Sequence, residues 1–222
     1  MTVPRAFSRR KGPTMQRLFV LVAMLVMALA STSATTAQEA TPPAGEQDRP
    51  ACAATLDSTP TADTDDDADT DLADWQTMTL TDARTGDEFA VADFVGCTVY
   101  VETMATWCST CRAQLEHVAT AAEELDPDRF VFIAISVETE ISDEDLARYA
   151  DDASFDWLFS VARPDALKEI VDEFGRESIV PPSTPHLIVN PDGSYGALRT
   201  GGTPPEEIVE LMTDASGAAA ES

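Results

Sequence analysis

The chain has 222 residues, 44% of them hydrophobic, with 40 acidic against 14 basic side chains and a formal net charge of −26. That length suits one domain of ordinary size plus extra segments. So acidic a surface repels nucleic acid and anionic membranes, which removes both from the expected partners.

The chain opens on Arg5, Arg9, Arg10, Lys11 and Arg17, followed by an unbroken apolar run from Leu18 to Ala30 and a small-residue stretch ending Thr35-Thr36-Ala37. As a helix that run rises only about 20 Å, short of the roughly 30 Å hydrocarbon core. Residues 1–37 therefore read as a cleaved signal peptide, with an uncleaved anchor as the alternative. Met15 would begin a compact signal by itself, and Ser8-Arg9-Arg10 faintly resembles a twin-arginine signal. Export makes the expected location extracytoplasmic: secreted, periplasmic or at the cell surface. Cleavage would leave nine basic residues against 40 acidic ones, a net charge near −31. Lys is confined to Lys11 and Lys168, which fits either a salt-adapted prokaryotic host or drift in an Arg-favouring genome.

Residues 38–73 are rich in Pro, Thr, Ala and Asp, with six acids between Asp63 and Asp71 and no helical or strand periodicity. They read as an acidic, disordered, self-repelling tether, or as a solvated loop pinned at Cys52. Residues 74–214 read as one domain. Trp75 to Thr81 alternates as a short strand, Arg84-Thr85-Gly86 supplies a turn, and Glu88 to Val91 suggests a second strand. Thr98 to Met104 is apolar enough for a central strand covered on both faces. Leu115, Val118, Ala119 and Ala122 recur at helical spacing before Pro127. Phe130 to Val137 is a second buried strand. Ser142 caps a helix carrying Leu146 and Tyr149. Phe155 to Val161 reads as a strand, and Pro164 opens a helix that Gly175 ends. His186 to Val189 is a strand, Pro191-Asp192-Gly193 a hairpin turn, and Tyr195 to Arg199 its return. Pro204 and Pro205 begin a last helix, and residues 215–222 read as a disordered tail. Strands alternating with helices indicate an α/β sandwich with a mixed sheet.

Four cysteines in an exported chain permit disulfides. Cys108 and Cys111 stand where a buried strand runs into a helix. The free N–H groups and positive end of that helix favour an anion at Cys108, and thiolate is the attacking species. Cys111, one turn on, can attack a mixed disulfide formed at Cys108. Trp107 is expected to shield the sulfurs. Cys52 and Cys97 remain as a second pair, expected to be a structural disulfide, with an electron relay between the pairs as the alternative.

The motif and its surroundings resemble the thioredoxin superfamily, especially its exported TlpA/ResA-like branch. The resemblance rests on Leu80-Thr81-Asp82, Gly86, Asp93-Phe94 and Gly96, on Ala105-Thr106-Trp107-Cys108, on Thr184-Pro185 before a strand, on Asn190-Pro191-Asp192-Gly193, and on Gly201 with Pro205-Glu206-Glu207. It implies a thioredoxin-like three-layer sandwich, a mixed central sheet flanked by helices. It also implies a thiol-disulfide oxidoreductase acting through the Trp107-Cys108-x-x-Cys111 motif, with no cofactor. Pro185 would be cis and lie beside the cysteines, and Thr184 would offer its backbone to an extended substrate. Alternatively Pro181, Pro182 and Pro185 merely punctuate a loop. Glu102, six residues before Cys108, falls where thioredoxin keeps a buried acid, and would shuttle a proton to Cys111 unless it reaches water at a sheet edge. Two departures bear on substrate preference and proton handling: Thr103 and Met104 replace a common aromatic pair, and Gln114 stands where related reductases carry Glu.

Other side chains are less telling. His117 reads as a solvated helix residue, His186 as a strand-start histidine or a tuner of the thiolate, and Arg112 as a weak electrostatic aid. Ser109 and Thr110 read as hydrogen-bond donors to a thiolate or as plain helix-turn residues. The branch resemblance favours a monomeric reductant, fed by a membrane electron donor and acting on exported protein thiols and disulfides. An oxidase or isomerase is the alternative, and a copper-handling protein using Cys108, Cys111 and His186 is a third reading. No metal site is expected. A zinc centre would need a second Cys-x-x-Cys, and a peroxidase a Pro and Thr framework that the chain lacks.

Overall fold

A computed structural model describes Cys52 and residues 72–218. The expected signal peptide and nearly all of the expected acidic tether lie outside the described residues. Among the described residues, no helix is long and apolar enough to cross a membrane.

The sequence of elements is α1 (Asp74–Thr77), β1 (Leu80–Thr81), β2 (Glu88–Phe89), β3 (Thr98–Met104), α2 (Ser109–Ala122), β4 (Phe130–Ser136), α3 (Asp143–Asp152), β5 (Leu158–Val161), α4 (Pro164–Phe174), β6 (His186–Val189) and α5 (Pro205–Ala218). β1 and β2 form a small antiparallel pair, while the main sheet runs β5-β4-β3-β6. β4 is parallel to β3 and β5, and β6 runs antiparallel to β3. This is the expected mixed sheet flanked by helices.

Every residue of β3 and β4 is buried, as near-continuous apolar runs require of strands covered on both faces. Side chains alternate between the faces. Val99, Val101, Ile133, Ile135, Leu187 and Val189 meet Trp75, Ala166 and Ile170 on one side. On the other, Tyr100 and Ile188 meet Val118, Ile208 and Met212, while Met104 packs with Cys108, Cys111, Leu115 and Leu146. The second face carries the buried Glu102, Gln114 and His186.

Five sequence expectations need correction. Trp75 to Thr77 is helical rather than a strand. Neighbours Trp75 and Gln76 are both buried, which one helical turn permits and an alternating half-buried strand does not. The turn sets Trp75 edge-on to Phe174 and Tyr195, at 5.1 and 5.2 Å, while Gln76 accepts the Ala73 N–H and donates to the Gly193 carbonyl. β2 stops at Phe89, and Val91–Phe94 winds into a 3-10 turn. β5 begins only at Leu158, because the Phe155 N–H is taken by Ala150 and the carbonyls of Phe155 and Trp157 by Arg84.

The return after β6 is also not a strand. His186 bridges Arg199 and Val189 bridges Tyr195, so the five residues from Tyr195 to Arg199 oppose the four of β6, and the extra residue bulges. At the C-terminal end, α5 runs to Ala218, four residues past the expected end of the domain. Ala215 extends the apolar stripe of Ile208 and Met212 onto the core, which keeps the helix going.

Candidate active site

β3 and β4 leave the sheet side by side, Met104 in register with Ser136. Beyond Met104, Ala105-Thr106-Trp107 turns the chain into α2, the Cys108 N–H closing on the Ala105 carbonyl at 3.0 Å. Glu138, two residues past β4, holds this turn. One carboxylate oxygen accepts the Thr106 N–H, the other lies 3.2 Å from its hydroxyl, and Ser136 donates at 3.4 Å. Glu138 escaped the sequence reading. The pairing of Met104 with Ser136 is the signal that would have placed a carboxylate beside the motif.

Cys108 is the N-cap of α2. Its sulfur accepts the Cys111 N–H at 3.1 Å, the role that Ser, Thr or Asp oxygen usually fills. Cys108 and Cys111 are disulfide-bonded, their Cα atoms 5.3 Å apart, and only 3% and 1% exposed. The motif packs against a turn at residues 181–184. Thr110 Oγ1 lies 3.3 Å from Cys108 Sγ and donates to the Pro182 carbonyl at 3.1 Å, while Cys111 Sγ lies 3.1 Å from the Pro181 carbonyl. A bonded sulfur has no proton to give, so that last contact becomes a hydrogen bond only in the dithiol.

Trp107 is 65% exposed, and with Val180 it makes up the exposed large hydrophobics among the described residues. The Pro181 and Pro182 carbonyls and the helix packing contribute to burying the cysteines. Arg112 is drawn away from the motif: it pairs with Glu116 at 3.2 Å and stacks over Tyr149 and Phe155.

Pro185 directly follows the turn that holds Pro181 and Pro182, its carbonyl accepting the Thr103 N–H at 3.1 Å. Thr184 does not present the expected backbone edge. It is buried in left-handed backbone (φ 47°, ψ 61°), its N–H donates to the Pro181 carbonyl at 2.8 Å, and its carbonyl meets His186 Nδ1 at 2.9 Å. A β-branched residue in that region is strained by about 1–3 kcal/mol. These two bonds hold it there, and burial keeps its backbone from an incoming chain.

Glu102 is 4% exposed on interior strand β3, between Ala134 of β4 and His186 of β6, so it does not reach water at a sheet edge. Burial raises its carboxyl from 4.5 to about 8, partly opposed by a hydrogen bond from Tyr100 at 3.3 Å. Its other oxygen, Oε1, has no hydrogen-bond partner in the described structure. Such an acid is at home as the neutral form. Gln114 donates to the Tyr100 hydroxyl at 3.1 Å and accepts the Thr203 N–H at 2.8 Å. Thr203 in turn meets His186 Nε2 at 3.0 Å, and His186 stacks on Tyr100. Sequence reasoning singled out Glu102, Gln114 and His186 separately. Their connection through Tyr100 and Thr203 depends on a loop 89 residues from Gln114, which no local pattern reveals.

His186 Nδ1 faces a carbonyl and must donate, so Nε2 accepts from the Thr203 hydroxyl. Burial lowers its affinity for a second proton. His117 is half-buried rather than solvated, with Nδ1 2.9 Å from the Thr203 carbonyl. Away from this site, Cys52 is bonded to Cys97, Cα atoms 5.2 Å apart, and its N–H donates to the Asp128 carbonyl at 3.1 Å. Among the described residues, no group of three or more His, Cys, Asp or Glu side chains is placed to hold a metal ion.

No protein-family model matches the sequence, and no curated protein matches it. Solved structures do. A protein of Aquifex aeolicus assigned to electron transfer is 18% identical with a TM-score of 0.55, over 64% of this chain and 91% of that one. Copper-bound ScoI of Arabidopsis thaliana is 14% identical with a TM-score of 0.53, over 64% and 96%. The thioredoxin domain of a thiol-disulfide oxidoreductase from Bacteroides vulgatus is 18% identical with a TM-score of 0.50, over 61% and 92%. The chain has the thioredoxin fold.

Proposed function

We propose that this chain is an extracytoplasmic thiol-disulfide oxidoreductase that exchanges disulfides with exported proteins through Cys108 and Cys111, working as a reductant. The observation that carries the reading is the placement of Cys108 at the N-terminus of α2, its sulfur receiving a helix N–H, with Cys111 bonded to it one turn deeper. In the reduced protein the same N–H and the helix dipole favour a Cys108 thiolate. That thiolate attacks one sulfur of a substrate disulfide; the substrate S–S bond breaks and the departing sulfur takes a proton. Cys111 then loses its proton and attacks Cys108 Sγ, which breaks the mixed disulfide, re-forms the Cys108–Cys111 bond and releases the second substrate thiol. Glu102 is the residue we assign to the Cys111 proton. With a pKa of about 8, both its forms are populated near neutral pH, as an acid–base group needs.

A membrane electron-donor protein would restore the dithiol, and the protein would act as a monomer. The leader, read as a signal peptide, supports an extracytoplasmic location. The likeness to a copper-bound Sco protein favours a second reading, copper handling by Cys108, Cys111 and His186. Against it, both ring nitrogens of His186 are already engaged, by Thr184 and Thr203. A turbidity assay of insulin reduction, with dithiothreitol as electron source, tests the leading reading. Catalysis by the native chain and none by Cys108→Ser is expected. No catalysis by either, with stoichiometric Cu(I) binding by the native chain, would move the assignment to copper.

A further inference from the structure

Thr110 touches both the sulfur that would attack and the turn that faces it. Its hydroxyl oxygen lies 3.3 Å from Cys108 Sγ and 3.1 Å from the Pro182 carbonyl oxygen. A hydroxyl has one proton to donate. With Cys108 and Cys111 bonded, the sulfur is a weak acceptor, and the proton goes to the carbonyl. A thiolate at the same place is charged and accepts hydrogen bonds about twice as strongly as a neutral group. Reduction therefore turns the Thr110 proton toward Cys108 and takes it from Pro182. At the adjacent residue the reverse occurs, because the new Cys111 thiol can donate to the Pro181 carbonyl, 3.1 Å away.

Resting on the oxidoreductase reading, we propose that Thr110 is a catalytic residue that hands its hydrogen bond from the Pro182 carbonyl to the Cys108 thiolate on reduction, and so frees that carbonyl to accept an N–H from an extended, cysteine-bearing segment of an incoming protein. Thr184 is buried, with its N–H and carbonyl both already bonded, so an acceptor elsewhere on this turn is the more accessible one for such a segment. Pro182 is exposed, unlike Thr184. It follows Val180, 48% exposed, and lies against the helix turn that begins beside exposed Trp107, which supply apolar surface for the segment's side chains. The reduction balances: an external dithiol gives two electrons and becomes a disulfide, one of its protons stays on Cys111, and the other leaves to solvent as Cys108 remains a thiolate. Of the charged groups on the elements around Cys108, Arg112 on α2 is turned into its pair with Glu116, Glu138 beyond β4 is bound to Thr106, and Glu102 is buried on β3; residues 181–184 carry none.

The test compares the native chain with Thr110→Val, which keeps the shape and loses the hydroxyl, and with Thr110→Ser, which restores it. Two readings are taken: the pH midpoint of Cys108 alkylation, and the carbonyl 13C shift of Pro182 in both redox states. The Val variant should raise the alkylation midpoint by about half a unit to one unit, a threefold to tenfold loss of thiolate, and Ser should restore it. The native Pro182 carbonyl should shift on reduction, the Val variant's should already sit at the reduced value, and joining Cys111→Ser protein to a cysteine peptide should move it back. An unchanged midpoint in Thr110→Val, or a Pro182 carbonyl indifferent to redox state or to the joined peptide, overturns the proposal. A native Cys108–Cys111 pair that dithiothreitol cannot reversibly reduce overturns the oxidoreductase reading instead.

Discussion

The two disulfides of this protein span nearly the same distance, 5.2 Å between the Cα atoms of Cys52 and Cys97 and 5.3 Å for Cys108 and Cys111, in opposite chemical settings. Cys52–Cys97 joins residues 45 apart in sequence and packs against Trp75, Val99 and the rest of the drier core. Cys108–Cys111 joins residues three apart, at a helix end, with a helix N–H, the Thr110 hydroxyl and the carbonyls of Pro181 and Pro182 around its sulfurs. The first closes a long loop and so restricts the unfolded chain by about 4 kcal/mol in the simple entropic account. The second closes almost no loop, and its surroundings stabilise the broken bond, as thiolate on one sulfur and thiol on the other. What divides a staple from a reagent is therefore the surroundings, not the bond.

Substitutions can break that contrast. The largest effect is expected from Cys108→Ser, which should reduce disulfide exchange to the level of buffer. Cys111→Ser should keep the attack, lose the resolution, and accumulate covalent complexes with substrate proteins on non-reducing electrophoresis. Equal trapping by both variants would mean that the roles of the two sulfurs are assigned wrongly. Next, the double variant Cys52→Ser, Cys97→Ser should lower unfolding free energy by about 2–5 kcal/mol in urea while leaving the potential of the other pair in place. A shifted potential would point to electron relay between the pairs.

Glu102→Gln should slow exchange near neutral pH by about tenfold or more and flatten its pH–rate profile. It also changes stability, with a definite sign. The folded carboxyl holds its proton up to about 8, whereas the unfolded one releases it near 4.5, so native stability falls as pH rises between these values and is level above. The whole effect is at most about 5 kcal/mol. The Gln variant should lack this slope and gain on the native protein at pH 8; an identical slope in the variant would mean that Glu102 is not its source. The smallest effect belongs to His117→Ala, which removes the bond to Thr203 and should cost about 0.5–1 kcal/mol in thermal unfolding without altering exchange.

Much of this arrangement could be read from residue order. β3 and β4 show as long apolar runs, and Ser142 and Gly175 mark helix boundaries by local chemistry. Cys108 and Cys111 are legible because their placement is a local matter, a strand end running into a helix start. What sequence could not supply is whatever depends on distant partners. Trp75 becomes helical because Phe174, Tyr195 and Gly193 receive it and its neighbour Gln76. Thr184 loses its free edge because Pro181 and His186 take its backbone groups. Glu138 reaches the motif through strand register, and Tyr100, Gln114, Thr203 and His186 join only when helix, strand and loop pack together.

The most direct test of the contrast between the two disulfides is to equilibrate the native protein in graded dithiothreitol and glutathione buffers, alkylate the free thiols and map each cysteine by mass. The account predicts that Cys108 and Cys111 become alkylated together at a potential within roughly −270 to −120 mV, while Cys52 and Cys97 stay bonded until below about −300 mV. Both pairs opening at one potential, or Cys52–Cys97 opening first, would contradict it.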